Sequence, residues 1–115
     1  MADDCLFCKI VTGEIPASIV YRDDRIVAFN DINPQAPLHA LVVPTRHIAT
    51  LNALSADDDA LVGEVVRRAG MIAKDKGFEA HGYRTVFNTN AAAGQTVFHI
   101  HLHLLAGRKF TWPPG

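Results

Sequence analysis

Apolar residues form five short stretches along the chain, some alternating with polar residues, and these stretches predict five β-strands. The first two are separated by the polar sequence RDDR and are expected to pair as a hairpin. The third, HALVVPT, is nearly continuous in apolar residues and is expected to end at Pro44. The predicted strands are residues 19–22, 25–30, 39–45, 83–88 and 96–106.

Two further stretches predict helices. A short one is expected over residues 5–12, ended by Gly13. A long amphipathic one begins at Ser55 as N-cap, has apolar residues at helical spacing over 61–73, and ends before Gly77. Strands on both sides of one main helix predict an α+β fold with an antiparallel, meander-like sheet. We expect one domain over residues 1–115, with an irregular C-terminal tail at 107–115.

Charge and composition exclude several classes of partner. Eleven basic residues nearly balance twelve acidic ones, so neither nucleic acid nor an acidic membrane is an expected partner. No stretch is apolar enough to span a membrane, and the N-terminus lacks the features of a signal peptide. We therefore expect a cytoplasmic protein with reduced thiols.

Three of the six histidines, His99, His101 and His103, stand at every second position of the last predicted strand. Strand geometry points them to one face, about 6.5–7 Å apart, while the intervening apolar residues face the core. A merely solvated face would normally mix residue types. The pattern therefore indicates either a metal site on the strand or acid–base and nucleophilic chemistry.

Cys5 and Cys8 form a C-x-x-C pair, which is half of a tetrahedral zinc site. A redox pair or two buried thiols would fit the same spacing. A closed site needs two histidines as well, and His47 and His99 are plausible donors. Such a site would hold Zn²⁺ structurally, because it has no open position, and would leave His101 and His103 free for chemistry.

Longer motifs extend this pattern over almost the whole chain. HIHLHLL resembles the His-φ-His-φ-His-φ-φ signature of the histidine triad (HIT) proteins, where φ is apolar. CLFCKIVTGEIPASIVYRDD, AFNDINPQAPLHALVVPTRHI, GQTVFHIHLHLLAGR and the final WPPG resemble the Hint branch of that family. The resemblance implies a homodimer whose sheets join into one. It also implies binding of purine nucleotides and hydrolysis of nucleoside phosphoramidates or related conjugates.

The resemblance also assigns roles to the histidines and cysteines. His101 would be the nucleophile that attacks the α-phosphate, and His103 would assist departure of the leaving group. His99 and His39 would belong to the hydrogen-bond network that orients the nucleophile. The family members with C-x-x-C carry zinc on the residues that match Cys5, Cys8, His47 and His99.

A nucleotide site is implied around these histidines. By resemblance, Asp31 accepts hydrogen bonds from the ribose, and Trp112 reaches the site of the partner subunit. The loop before the last strand is suited to phosphate, because Gly94 permits close approach and Gln95 and Thr96 can face phosphate oxygens. The residues matching the base pocket are Phe7, Ile10, Phe29, Ile32 and Leu41, and Asn88 matches a residue near the phosphate.

Three other functions stay open at this point. They are a nucleotide-binding or scaffolding protein with incidental hydrolysis, a metallohydrolase with zinc on the histidine strand, and a dinucleoside polyphosphate hydrolase. The WPPG ending and the C-x-x-C pair favour the Hint branch over the last of these. In this family a glutamine at the position of His103 accompanies transferases, so the histidine there favours hydrolysis.

Overall fold

Five strands form one antiparallel sheet in the order β1-β2-β3-β5-β4 in the computed structural model, which describes residues 4–115. This confirms the expected α+β fold; β5 lies between β3 and β4. The bounds are α1 Leu6–Val11, β1 Ile19–Arg22, β2 Ile26–Asn30, β3 Leu38–Pro44, α2 Asp59–Asp75, β4 Tyr83–Phe87 and β5 Leu102–Ala106.

Both faces of the sheet are covered. On one face, Leu102 and Leu104 of β5, together with side chains of β3, pack against α2. The helix contributes Val65, Ala69 and Ile72 to this contact. The other face of the sheet packs against α1. Because β3 is buried on both sides, its apolar run has no polar alternation. The second cluster contains Phe7, Cys8 and Ile10 of α1 with Val27, Phe29, Leu41 and Val43 of the sheet.

The long helix has the predicted start and end signals. The backbone N–H of Ser55 donates to Asp58 Oδ2 at 2.9 Å, and a 3₁₀ turn over Ala56–Asp58 leads into α2. At the other end Gly77 has φ +86°, and the Phe78 N–H donates to the Ala73 carbonyl at 2.8 Å. This hydrogen bond with a left-handed glycine is the Schellman pattern that closes helix ends.

The last strand is shorter than predicted. It was expected to begin at Thr96, but β5 begins at Leu102, so His99 and His101 precede it. Pro44, at the end of β3, has no backbone N–H and cannot donate a hydrogen bond to a neighbouring strand. Its carbonyl accepts a hydrogen bond from His99 Nε2 at 2.7 Å. The Ile100 N–H donates to the Ile48 carbonyl at 2.7 Å. The chain therefore leaves the sheet where His99 turns inward.

After Ala106 the described chain forms neither helix nor strand. Two hydrogen bonds hold this tail to the domain: Arg108 Nε donates to the Gln35 carbonyl at 2.8 Å, and Arg84 Nη2 donates to the Thr111 carbonyl at 3.0 Å. Within residues 4–115, no helix is both long enough and apolar enough to cross a bilayer.

Candidate active site and metal-ligand group

An open cleft of about 590 Å³ lies between α1 and the sheet face that carries His101 and His103. One end of the cleft is formed by these imidazoles, and the rest is largely apolar. Of the residues predicted to bind a nucleotide, those that line the cleft are Phe7, Ile10, Phe29, Asp31, Ile32, Leu41, Thr96, His101 and His103.

His101 is held with one nitrogen directed at a backbone carbonyl. Its Nδ1 lies 2.8 Å from the carbonyl oxygen of His99. A carbonyl only accepts, so Nδ1 carries the proton and donates. The neutral ring then keeps its lone pair on Nε2. The edge of the Phe7 ring packs against the imidazole, with ring centroids 4.9 Å apart, and limits its rotation.

His39 and His103 form a second chain of hydrogen bonds. The Gln35 N–H donates to His39 Nδ1 at 3.0 Å, so the proton of a neutral His39 is on Nε2. That Nε2 lies 2.9 Å from His103 Nδ1 and donates to it. His103 therefore carries its own proton on Nε2. Its ring centroid lies 5.0 Å from that of His101.

These imidazoles are neutral at physiological pH. The pKa of His103 is lowered to about 4, first by burial and then by the neighbouring His101 and His39. Burial also lowers the pKa of His101, against the opposing effect of its hydrogen bond to the His99 carbonyl. Burial lowers the pKa of His39 as well. The proton positions deduced above for His101, His39 and His103 are those of neutral rings, so they agree with the lowered pKa values.

Asp31 borders the same network. Its Oδ2 lies 3.4 Å from His39 Nε2, and its Oδ1 accepts from the Asn33 N–H at 2.9 Å. Donor atoms of Asp31, His39 and His103 lie within 4.8 Å of one another, a spacing that a metal ion would allow. The proton on His39 Nε2, required by the Gln35 hydrogen bond, blocks ligation there. This group is therefore a hydrogen-bond network, which argues against a metallohydrolase centred on it.

A second group has the donor chemistry of a metal site. Donor atoms of Cys5, Cys8, His47 and His99 all lie within 4.8 Å of one another. His99 Nδ1 lies 3.5 Å from the sulfur of Cys5 and 3.5 Å from that of Cys8, and His47 Nδ1 lies 3.4 Å from the Cys8 sulfur. Tetrahedral zinc with S and N ligands needs about 3.5 Å between them.

The position of the proton on the His99 ring also suits metal binding. Its Nε2 donates to the Pro44 carbonyl, so Nδ1 presents a lone pair to the two sulfurs. Cys5 precedes α1, and its sulfur accepts from the Cys8 N–H at 3.4 Å, which fixes the position of the sulfur beside Cys8. The four residues can hold a metal ion, as the C-x-x-C spacing and the two histidines predicted.

The side chain of Gln95 forms hydrogen bonds to backbone groups around its loop. Its Nε2 donates to the carbonyls of Ala49 and Val97 at 2.9 and 3.1 Å, and its Oε1 accepts from the Asn90 N–H at 2.8 Å. The side chain is 5% exposed and is not among the residues lining the cleft. Gln95 shapes the loop after β4, and Gly94 has φ +88° within it.

Asn88, Gly94 and Trp112 were also predicted to bind the nucleotide, and they are not among the residues that line the cleft. Phe87, the last residue of β4, pairs with Leu102, and Asn88 follows it directly in the chain. Ile32 is fully exposed at the rim, and Trp112 in the tail is 83% exposed. Sequence reasoning missed the backbone groups that set the proton positions, because no side-chain pattern marks a particular carbonyl or N–H.

Proteins of known family resemble this chain in sequence and in fold. Residues 4–111 match the family described as "Scavenger mRNA decapping enzyme C-term binding". An uncharacterised HIT-like protein of Synechocystis is 50% identical over 115 residues, covering 100% of both chains. The purine nucleoside phosphoramidase of Escherichia coli K12 is 47% identical over 108 residues, covering 94% of this chain and 91% of that protein.

Solved structures agree with the sequence matches. A HIT family hydrolase of Legionella pneumophila Philadelphia 1 superimposes with a TM-score of 0.96 at 54% identity, covering 97% of this chain and 100% of that one. The order of the strands, the histidines at one end of the cleft and these matches lead to one conclusion. The chain belongs to the histidine triad (HIT) family.

Proposed function

We propose that this protein hydrolyses purine nucleoside phosphoramidates, with His101 as the nucleophile. The observation that carries the proposal is the hydrogen bond from His101 Nδ1 to the His99 carbonyl, which leaves a lone pair on Nε2 beside the cleft. The similarity to the Escherichia coli protein named purine nucleoside phosphoramidase supports the substrate class. We take residues 1–115 as one HIT domain with its tail at 107–115.

The first step forms a nucleotidyl-histidine. Nε2 of His101 attacks the α-phosphorus, the bond from phosphorus to the leaving nitrogen breaks, and that nitrogen leaves as an amine after gaining a proton from solvent. The ring becomes cationic, and its Nδ1–H remains bonded to the His99 carbonyl, which stabilises the charge. His103 donates a hydrogen bond from its Nε2–H to the leaving group and keeps its own proton.

The second step restores the enzyme. Water attacks the phosphorus, the bond to His101 Nε2 breaks, and the nucleoside monophosphate departs with the hydroxyl group. The second proton of the water passes to solvent, so the proton taken up in the first step is returned. His101 is again neutral with its proton on Nδ1, as the lowered pKa requires.

The cleft can hold the rest of a nucleotide. Apolar side chains suit the faces of a purine, and Phe7 and Phe29 already pack edge to face with centroids 5.3 Å apart. Asp31 supplies a carboxylate for the ribose hydroxyls at the end of β2. Thr96 lines the cleft with the histidines and offers a hydroxyl and an N–H to the phosphate. Asn88, directly after β4, is proposed as a further phosphate contact. We assign no direct phosphate contact to the Gln95 side chain.

We propose zinc as the ion for the Cys5, Cys8, His47 and His99 group. Two thiolates and two imidazoles are the ligands that structural zinc prefers, and four protein ligands leave no position for substrate. The ion would fasten α1, with Cys5 before it, to the segments that follow β3 and precede β5. It would supply cross-linking rather than Lewis-acid chemistry, because the cleft histidines carry the reaction.

The test measures turnover of adenosine 5′-phosphoramidates with a panel of amine leaving groups. We expect His101→Ala to lower kcat at least about 10³-fold while zinc content and AMP binding persist. The control is His81→Ala, an exposed histidine outside the cleft, which should leave turnover unchanged.

Other outcomes would overturn parts of the proposal. Turnover that survives in His101→Ala would exclude the nucleophile, and joint loss of metal and activity would favour a metallohydrolase. Faster cleavage of dinucleoside polyphosphates than of every phosphoramidate would change the substrate class. A cellular function that persists in the inactive variant would favour a binding role.

A further inference from the structure

His99 belongs to both groups described above. Its ring nitrogen Nδ1 faces the sulfurs of Cys5 and Cys8 at 3.5 Å. Its backbone carbonyl accepts from His101 Nδ1 at 2.8 Å. One residue therefore connects the metal-ligand group to the nucleophile through its own covalent bonds.

The backbone at His99 has little freedom to move independently of its ring. The side chain is fully buried, and Nε2 donates to the Pro44 carbonyl at 2.7 Å. The next residue, Ile100, donates its N–H to the Ile48 carbonyl at 2.7 Å. Phe7 packs against the rings of both His99 and His101, with centroids 6.1 and 4.9 Å away. A shift of the His99 ring would therefore displace the carbonyl that His101 uses.

That carbonyl decides where the proton of His101 resides. With the hydrogen bond intact, the proton is on Nδ1 and Nε2 is nucleophilic. Without it, neutral imidazole distributes its proton between both nitrogens, and the form protonated on Nε2 cannot attack phosphorus. Loss of orientation adds to this effect, because attack needs an aligned lone pair.

We propose that a metal ion bound by Cys5, Cys8, His47 and His99 positions the nucleophile, by fixing the His99 carbonyl that holds His101 in its Nδ1-protonated form. His99 is a positioning residue in this scheme and does not touch the substrate. The effect on turnover rests on the proposed function, whereas the effect on the tautomer of His101 does not.

The metal group is within reach of solvent. An open cavity of about 400 Å³ borders it and is lined in part by Cys5 and His47. Thr96 and Val97 line both this cavity and the nucleotide cleft. We expect the fraction of protein that holds metal to set the fraction with a positioned nucleophile.

The test observes His101 directly by ¹⁵N NMR of histidine-labelled protein, with zinc and after chelation. In the zinc-loaded protein we expect the nitrogen shifts of a ring protonated on Nδ1. After chelation, and in Cys8→Ser, we expect averaged shifts of both tautomers. We expect kcat for phosphoramidates to fall about 10- to 100-fold with KM changed less than about threefold. Reloading the chelated wild type with zinc should restore both readouts.

Val65→Ala is the matched control, because it removes buried volume on the α2 side of the sheet, away from the metal group. At a comparable loss of stability it should leave the His101 shifts and kcat unchanged. His101 shifts that stay the same in folded, metal-free protein would overturn the inference. A change in the shifts without any phosphoramidate turnover in the loaded protein would leave the inference standing and overturn the proposed function.

Discussion

The three histidines of the triad differ in the groups that their two ring nitrogens contact. His99 donates from Nε2 to a carbonyl and directs Nδ1 at two sulfurs. His101 donates from Nδ1 to a carbonyl and directs Nε2 at the cleft. His103 accepts at Nδ1 from His39 and keeps a proton on Nε2. In the proposed scheme the same residue type thus supplies a ligand, a nucleophile and a donor, because the fixed partner of each ring differs.

The low pKa of His103 predicts acid sensitivity. Its ordinary pKa of 6.5 applies in the unfolded chain, and about 4 applies in the folded one. Between these values the unfolded state binds more protons, so the free energy of unfolding decreases as the pH falls from 6.5 to 4. We expect this histidine to account for about 2 kcal/mol of that loss. Above pH 6.5 its contribution is complete.

Urea unfolding of the wild type and of His103→Gln, followed across this pH range with zinc present, isolates the contribution. The difference between the two slopes should report His103, since acid release of metal affects both proteins. NMR titration of the His103 ring gives its pKa independently, and a midpoint near 6.5 would contradict the prediction.

At the scale of elements, the loop between β2 and β3 carries Asp31 and Gln35, and the tail after β5 packs against it. Gly107 has φ +99°, and a Cβ added there would lie 2.8 Å from Pro37 Cβ. Arg108 then donates to the Gln35 carbonyl. The start of the tail therefore holds the loop whose Gln35 N–H sets the proton of His39.

Gly107→Ala should destabilise the protein for two reasons, the positive φ and the contact with Pro37. Gly13→Ala is the matched control, since Gly13 has φ +82° but an added Cβ would meet nothing within 4 Å. We expect about 1 kcal/mol for Gly13→Ala and about 2–4 kcal/mol for Gly107→Ala in urea unfolding. Equal losses would show that the Pro37 contact costs nothing.

At the scale of the whole molecule, both faces of the sheet are covered by helices, and its edge strands are β1 and β4. These edges are where the sheet of a second molecule can pair. Tyr83, the first residue of β4, and Val66 of α2 have exposed side chains that are largely apolar. A Cβ at Gly70 would lie 3.0 Å from the Tyr83 hydroxyl, so α2 and β4 meet closely there. We propose that the homodimer forms at this edge, which would also bring Trp112 toward a partner subunit.

Val66→Glu should convert the proposed dimer to a monomer, because it places a charge in the apolar contact assigned to this edge. Sedimentation velocity measures the change, and we expect at least a tenfold weaker association. Ile19→Glu on the β1 edge, where Ile19 is 42% exposed, is the control and should remain dimeric. A wild type that sediments as a monomer would contradict this assignment.

Elements that are held by hydrogen bonds between residues close in the sequence were predictable, and elements that depend on distant residues were not. The hairpin at RDDR was predictable because Asp23 Oδ1 bonds the N–H groups of Arg25 and Ile26 at 2.7 and 2.8 Å, within a few residues. The ends of α2 were predictable for the same reason. The start of β5 was not, because it depends on Pro44 and Ile48, which are distant in the chain.

The sequence by itself determined the elements, the family and the residue types of the two groups, because strand periodicity and motif spacing are local properties. Tertiary structure alone decided that His99 leaves the sheet, that Gln95 is committed to its loop, and where each imidazole carries its proton. Those outcomes depend on individual backbone groups, such as the Pro44 carbonyl and the Gln35 N–H, that folding brings to particular rings. Every residue has such groups, so only their positions in space distinguish them.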